Sequence, residues 1–82
     1  MEINMIYLDF RGEECPGPLV KTVRELSKAR KNEKIVVLTT SKQCIDMLRQ
    51  TIELFGVAKM EIYNRDNFYE IYIEKTVDEL EV

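Results

Sequence analysis

The sequence predicts an α/β chain of the α+β two-layer sandwich kind, with element order βαβαββ and a four-stranded mixed sheet carrying two helices on one face. Three observations predict it. Two stretches with helical spacing of apolar residues are interleaved with two strand-like runs, two more strand-like runs follow with a polar turn between them, and 82 residues suffice for one domain with a modest core. A single domain over residues 1–82 is expected, with its core over about residues 5–75.

Residues 5–10 alternate, placing Ile6, Leu8 and Phe10 on one side and Met5, Tyr7 and Asp9 on the other, as a half-buried strand requires. Leu19, Val23 and Leu26 then recur at helical spacing, with Val20 and Ala29 beside them and Lys21, Arg24, Glu25 and Lys28 opposite. The helix start is read at Cys15 as N-cap and Pro16 as the first helical residue, because proline's missing N–H is harmless only in the first turn. Pro18 falls in that same turn.

Residues 34–40 form a β-branched and apolar run without alternation, which suits a central strand covered by its neighbours. Ser41 is a good N-cap for a second helix whose stripe is Ile45, Leu48, Ile52 and Phe55, and Gly56 is placed to end it. Two more alternating runs follow, Ala58, Met60 and Ile62 and then Tyr69, Ile71 and Ile73, joined by the turn residues Asn64, Arg65, Asp66 and Asn67. The pattern stops after Lys75, so residues 76–82 are expected to fray or to add a short segment.

A strand–helix–strand unit with a short helix makes a right-handed parallel crossover, so both helices start at the same end of the sheet. The helix-free face would carry Tyr7, Tyr63, Phe68 and Tyr72 among Glu61, Glu70 and Glu74, either as a wet surface or as an interface.

Composition narrows the chemistry. With no histidine, a Cys/His catalytic pair is excluded, and two cysteines fall short of a four-ligand zinc site, so neither metal nor other cofactor is expected. A net charge of −3 argues against direct nucleic-acid binding, which needs a basic field. No apolar run is long enough to span a membrane and the first residues lack a secretory pattern, so a cytoplasmic protein with reduced thiols is expected.

Cys15 then stands out, because it sits between a strand end and a helix start, followed by Pro16, Gly17 and Pro18. The positive end of a helix dipole favours a thiolate, and Arg11, Lys21 and Arg24 act in the same sense. Glu13 and Glu14 oppose it, and the two prolines remove donors that could bind the sulfur. A plain structural cap is the bland alternative, but cysteine caps poorly beside serine or aspartate. Gly12 suits a turn with positive φ, and Gly17 relieves the restriction that Pro18 places on its predecessor. Lys21 and Arg24 face water beside the site, either as a solvated face with Lys21 paired to Glu25 or as a docking patch.

The run Leu-Asp-x-Arg-Gly-x-x-Cys-Pro-x-Pro at positions 8–18 resembles the signature of TusA/SirA-type sulfur carriers, small βαβαββ proteins, and the likeness in length and element order extends over about residues 6–75. The resemblance implies a persulfide on Cys15, loaded by a donor protein such as a cysteine desulfurase or a rhodanese-like protein and passed to a sulfur-acceptor protein. Acceptor pathways in that family include tRNA thiolation, cofactor biosynthesis and sulfur metabolism. The same resemblance makes Asp9, Arg11, Gly12, Pro16 and Pro18 shapers of the loop. Many members carry Asp-Pro at the start of the second helix, where this chain has Thr39, Thr40, Ser41, Lys42 and Gln43.

Cys44 flanks the apolar stripe of the second helix and reads first as a small buried hydrophobe. The topology adds another possibility, since both helix starts share one end of the sheet: Cys44 could meet Cys15 as a second thiol. Two competing functions are a non-catalytic regulatory module that binds proteins through the aromatic face, and a thiol redox protein using Cys15 with Cys44. Against the latter stands the absence of a Cys-x-x-Cys pair.

Overall fold

The computed structural model describes residues 5–77, in the order β1 (Met5–Phe10), α1 (Gly17–Lys28), β2 (Lys34–Thr39), α2 (Lys42–Phe55), β3 (Ala58–Asn64) and β4 (Tyr69–Lys75). The predicted fold class is the observed one. The strands lie in the order β1-β2-β4-β3, with β1 parallel to β2 and the other two pairs antiparallel, which makes the sheet mixed.

Register explains why the two sheet faces differ. Ile6, Leu8 and Phe10 pair with Ile35, Val37 and Thr39, which pair in turn with Ile73, Ile71 and Tyr69; Met60 and Ile62 complete the rows on β3. With period-two alternation this whole set faces one way, and it packs against Leu19 and Leu26 of α1 and Ile45, Leu48 and Ile52 of α2. Ile35 and Ile73 at the centre are 0% exposed.

The helix-free face is built from the other parity, and its rows include Tyr7–Val36–Tyr72–Glu61 and Asp9–Leu38–Glu70–Tyr63. Val36 is 0% exposed although no helix covers it, since the tyrosines on both neighbouring strands flank it. Tyr72 donates its hydroxyl to Glu70 Oε2 at 2.7 Å, Arg65 Nε donates to Glu70 Oε1 at 2.7 Å, and Tyr63 meets Tyr72 edge to face. The hydrogen bonds from Tyr72 and Arg65 hold the Glu70 carboxyl below its ordinary range, while Glu70 raises the Tyr72 hydroxyl.

Three sequence expectations need correction at this level. The buried line of α1 is Pro18, Thr22, Leu26 and then Ala29 at its C-cap, so a threonine sits at the centre of the stripe and Leu19 and Val23 flank it. Phe55 is 56% exposed: the last turn of α2 overhangs the core, and its ring borders a cleft of about 80 Å³ with Val23, Leu26 and Val57. Finally, the hydrogen-bonded backbone runs one residue past β4, with the Thr76 N–H on Val57 O at 2.9 Å; residues 78–82, where the expected frayed or added segment continues, lie outside the described residues.

Helix ends are closed by different means. Ser41 Oγ accepts from the Cys44 N–H at 3.2 Å to cap α2 at its start, and Gly56, at φ 65°, closes it at its end with its N–H on Ile52 O. The end of α1 has no glycine. There Lys75, 0% exposed, reaches across from β4 and donates to Leu26 O at 2.7 Å and Ala29 O at 2.9 Å. Among the described residues every buried side-chain nitrogen or oxygen has a hydrogen-bond partner.

Candidate functional site

Because β1 and β2 run parallel, the loops that follow them emerge at the same end of the sheet, and the two helices begin there side by side. The first loop opens with a turn over residues 10–13, closed by Glu13 N–H on Phe10 O at 3.0 Å. Gly12 occupies its third position at φ 85°, a conformation that suits glycine and strains other residues. The Gly12 N–H donates to Thr40 Oγ1 at 3.0 Å, so this loop is tied to the one after β2.

Asp9 and Arg11 brace the same turn. Arg11 Nε and Nη2 donate to the two carboxylate oxygens at 2.9 and 2.8 Å, the Arg11 N–H adds a third bond to Oδ1 at 3.1 Å, and the guanidinium rests over Phe68. The hydrogen bonds from Arg11 hold the Asp9 carboxyl below the ordinary aspartate range. A folded-state pKa lowered in this way stabilises the fold above the unfolded pKa, and the contribution is lost as pH falls through the folded value. In an NMR titration the Asp9 carboxyl should therefore titrate below a free aspartate, and Arg11→Gln should move it upward; an unmoved midpoint would show that the paired guanidinium does not set it.

The start of α1 is displaced by one residue from the expected position. Pro16, not Cys15, is the N-cap, with the Val20 N–H on Pro16 O at 3.0 Å, and the Cys15–Pro16 peptide is cis. Pro16 has φ −97° and ψ 5°, outside the helical region, and so takes the cap place itself, while Gly17, before Pro18, enters the helix because it lacks a side chain. Cys15 thus stands half-exposed just ahead of the helix, and Gly17 and Leu19 are the first-turn positions that retain an N–H.

Cys44 lies in the first turn of α2, and it is bonded to Cys15 in a disulfide with a Cα–Cα distance of 5.5 Å. Both readings of Cys44 meet here: the residue is buried, 5% exposed, and it is also the partner of the candidate thiol. Free thiols throughout, the compositional expectation, are not what the structure contains. The pair is asymmetric, since one sulfur belongs to a surface loop and the other to the core.

Of the remaining candidates, Lys21 and Arg24 are exposed on α1, and the Lys21 ammonium stands 5.8 Å from the centre of the Phe10 ring. Sequence reasoning passed over Thr39 and Thr40 except as a departure from a family pattern. Their hydroxyls prove to be structural, Thr40 holding Gly12 and Thr39 Oγ1 accepting from the Ser41 N–H at 3.1 Å. Hydroxyl side chains beside a predicted N-cap were the available signal. Among the described residues no group of three or more His, Cys, Asp or Glu side chains is arranged to hold a metal ion, and no helix is long and apolar enough to cross a membrane.

Comparison with known proteins bears on this site. Residues 6–75 match the model of the family described as Sulfurtransferase TusA. A candidate sulfur carrier protein of Archaeoglobus fulgidus is 24% identical over 71 residues, spanning 87% of this chain and 97% of that protein. The crystal structure of a SirA-like protein from Desulfitobacterium hafniense superposes with a TM-score of 0.79 at 23% identity, covering 88% of this chain and 99% of the other, which shows a shared fold.

Proposed function

From the premise that this chain belongs to the Sulfurtransferase TusA family, we propose that it is a sulfur carrier that accepts a sulfane sulfur as a persulfide on Cys15 and relays it to an acceptor protein. The observation that carries this reading is the position of Cys15. It is a half-exposed thiol position on a braced loop at the mouth of α1, within the family's matched region.

In the reduced protein the Cys15 thiolate attacks the outer sulfur of a donor persulfide, and the donor's own thiolate leaves. Onward transfer repeats the exchange toward the acceptor. The protein supplies access, and the N-terminal end of α1, with N–H groups left at Gly17 and Leu19, is the kind of place where a helix dipole favours a thiolate. The exchange consumes no nucleotide and uses no general base, which fits a chain without histidine. The partners are a persulfide donor of the cysteine desulfurase or rhodanese-like kind and a protein acceptor, with Lys21 and Arg24 as the charged rim beside the entry.

The test is sulfur loading of the pre-reduced protein by a cysteine desulfurase supplied with cysteine, trapped within seconds by alkylation and read by intact mass and peptide mapping. One additional sulfur on the Cys15 peptide is expected, removed by reductant. In Cys15→Ser the incorporation should fall to background. Undiminished loading of that variant would overturn the assignment.

A further inference from the structure

We propose that Cys44 is a resolving thiol: when Cys15 carries a sulfane sulfur, Cys44 attacks the inner sulfur of that persulfide, closes the Cys15–Cys44 disulfide and releases hydrosulfide. The proposal rests on the sulfur-carrier reading and adds a second outlet to it, in which sulfur leaves as sulfide without passing to an acceptor protein.

The first support is placement. The two cysteines are 29 residues apart in sequence and belong to different elements, yet their Cα atoms are 5.5 Å apart and their side chains are bonded. The backbone around each is held by contacts other than the disulfide, Cys44 by the Ser41 cap and the Cys15 loop by the Gly12–Thr40 hydrogen bond that ties the two loops together. Such an arrangement gives an intramolecular thiol a high effective concentration at the Cys15 sulfur.

The second support is asymmetry. Cys44 is 5% exposed, so another protein's persulfide has little access to it, whereas half-exposed Cys15 can meet an external donor and an internal thiol alike. The interior gap beside Cys44, bordered by Pro18, Thr22 and Leu48, amounts to about 10 Å³. The Cys15 sulfur is the atom bonded to Cys44 in the structure, so the inner sulfur of a Cys15 persulfide is the one already placed against Cys44. Leaving-group chemistry favours the same direction, because hydrosulfide is the conjugate base of a stronger acid than an alkyl thiol.

The step balances. The sulfur–sulfur bond of the persulfide breaks and the Cys15–Cys44 bond forms; the departing hydrosulfide takes the bonding electron pair, and the proton of Cys44 passes to water. The sulfane sulfur is reduced by two electrons, which the two protein thiols supply. A dithiol reductant then restores both thiols for another cycle. An acceptor thiol that reaches the exposed outer sulfur first diverts the sulfur intact, so docking decides between the two outlets.

The reaction can be followed by mixing fully reduced protein with one equivalent of inorganic polysulfide and recording intact mass against time. Hydrosulfide is measured in parallel, with the amount formed by Cys44→Ala subtracted, since that variant includes whatever sulfide the loading of Cys15 itself expels. The wild type should gain one sulfur and then lose it together with two hydrogens, releasing one hydrosulfide per chain, while Cys44→Ala should hold the added sulfur at least roughly tenfold longer. Cys44→Ser, of nearly native volume, repeats the measurement should alanine disturb the fold. A wild type that keeps its added sulfur, or that releases sulfide no faster than the Cys44 variants, overturns the resolving role and leaves the carrier intact. Failure of every form with Cys15 to gain sulfur would reject the carrier reading itself.

Discussion

Replacing Lys75 with methionine is expected to destabilise the protein by about 3 kcal/mol, since the aliphatic stem is kept while two helix-end carbonyls lose a charged donor in a buried place. The Lys75 side chain closes the end of α1 on Leu26 O and Ala29 O, and its main chain fixes the following loop, with Asn32 N–H on Lys75 O at 2.8 Å and Lys75 N–H on Glu33 O at 3.0 Å. Methionine preserves the backbone bonds and abolishes only those of the ammonium. For a domain of this size that loss lowers the thermal midpoint by roughly 10–20 °C. Lys75→Ala should be worse, because it also removes the buried stem. Lys59→Met, at an exposed position on the other sheet face, should change little. Denaturant melts in one redox state check the series, and a Lys75→Met midpoint equal to that of Lys59→Met would exclude the capping role.

Lys75 also shows where reading the sequence ends. Its position was visible: Ile71 and Ile73 point to the core, and two residues on the alternation delivers Lys75 to the same face. A cation in that place signals the end of a strand unless the chain offers acceptors, and these lie 46 and 49 residues away on α1. Periodicity records which side a residue faces and says nothing of distant carbonyls. The same gap explains Thr22, whose polarity hid its place on the buried line of α1 between Pro18 and Leu26. By contrast the parallel β1–β2 crossover, the β3–β4 hairpin, the α2 caps at Ser41 and Gly56 and the one-sided packing of the helices followed from the pattern of successive elements.

At the site, legibility had a similar limit. The unusual cysteine–proline run pointed to Cys15, and parallel pairing of the first two strands made a meeting with Cys44 the second of two readings of that residue. What the run could not supply was the helix register at Pro16, which displaced Cys15 from the cap, or the choice between a packed thiol and a bonded one at Cys44. That choice depends on two side chains meeting across the junction of two loops. Thr40 belongs with them, a loop residue whose role exists only because Gly12 is opposite.

Reduction of the Cys15–Cys44 bond is expected to lower stability by about 3.5 kcal/mol, on the chain-entropy estimate for a closed loop of roughly thirty residues. The corresponding fall in thermal midpoint is roughly 10–25 °C. The enclosed segment holds all of α1 and β2, so opening it frees a large part of the unfolded chain while the buried rows of the sheet remain. Melting with and without reductant measures the difference, and the double variant Cys15→Ala/Cys44→Ala should give the same midpoint in both conditions. If the wild type also fails to respond, the bond contributes nothing to the fold. The two halves of this cycle are linked: whatever the disulfide adds to folding, the fold adds to disulfide formation. A stabilisation of about 3.5 kcal/mol therefore means that native structure favours closure of the pair roughly 300-fold over the denatured chain. Equilibration in a thiol–disulfide buffer, with and without denaturant, should return that same ratio. Agreement would show that the fold itself supplies the proximity on which an internal resolving step depends, whereas equal closure in the native and denatured chains would leave that step without its physical cause.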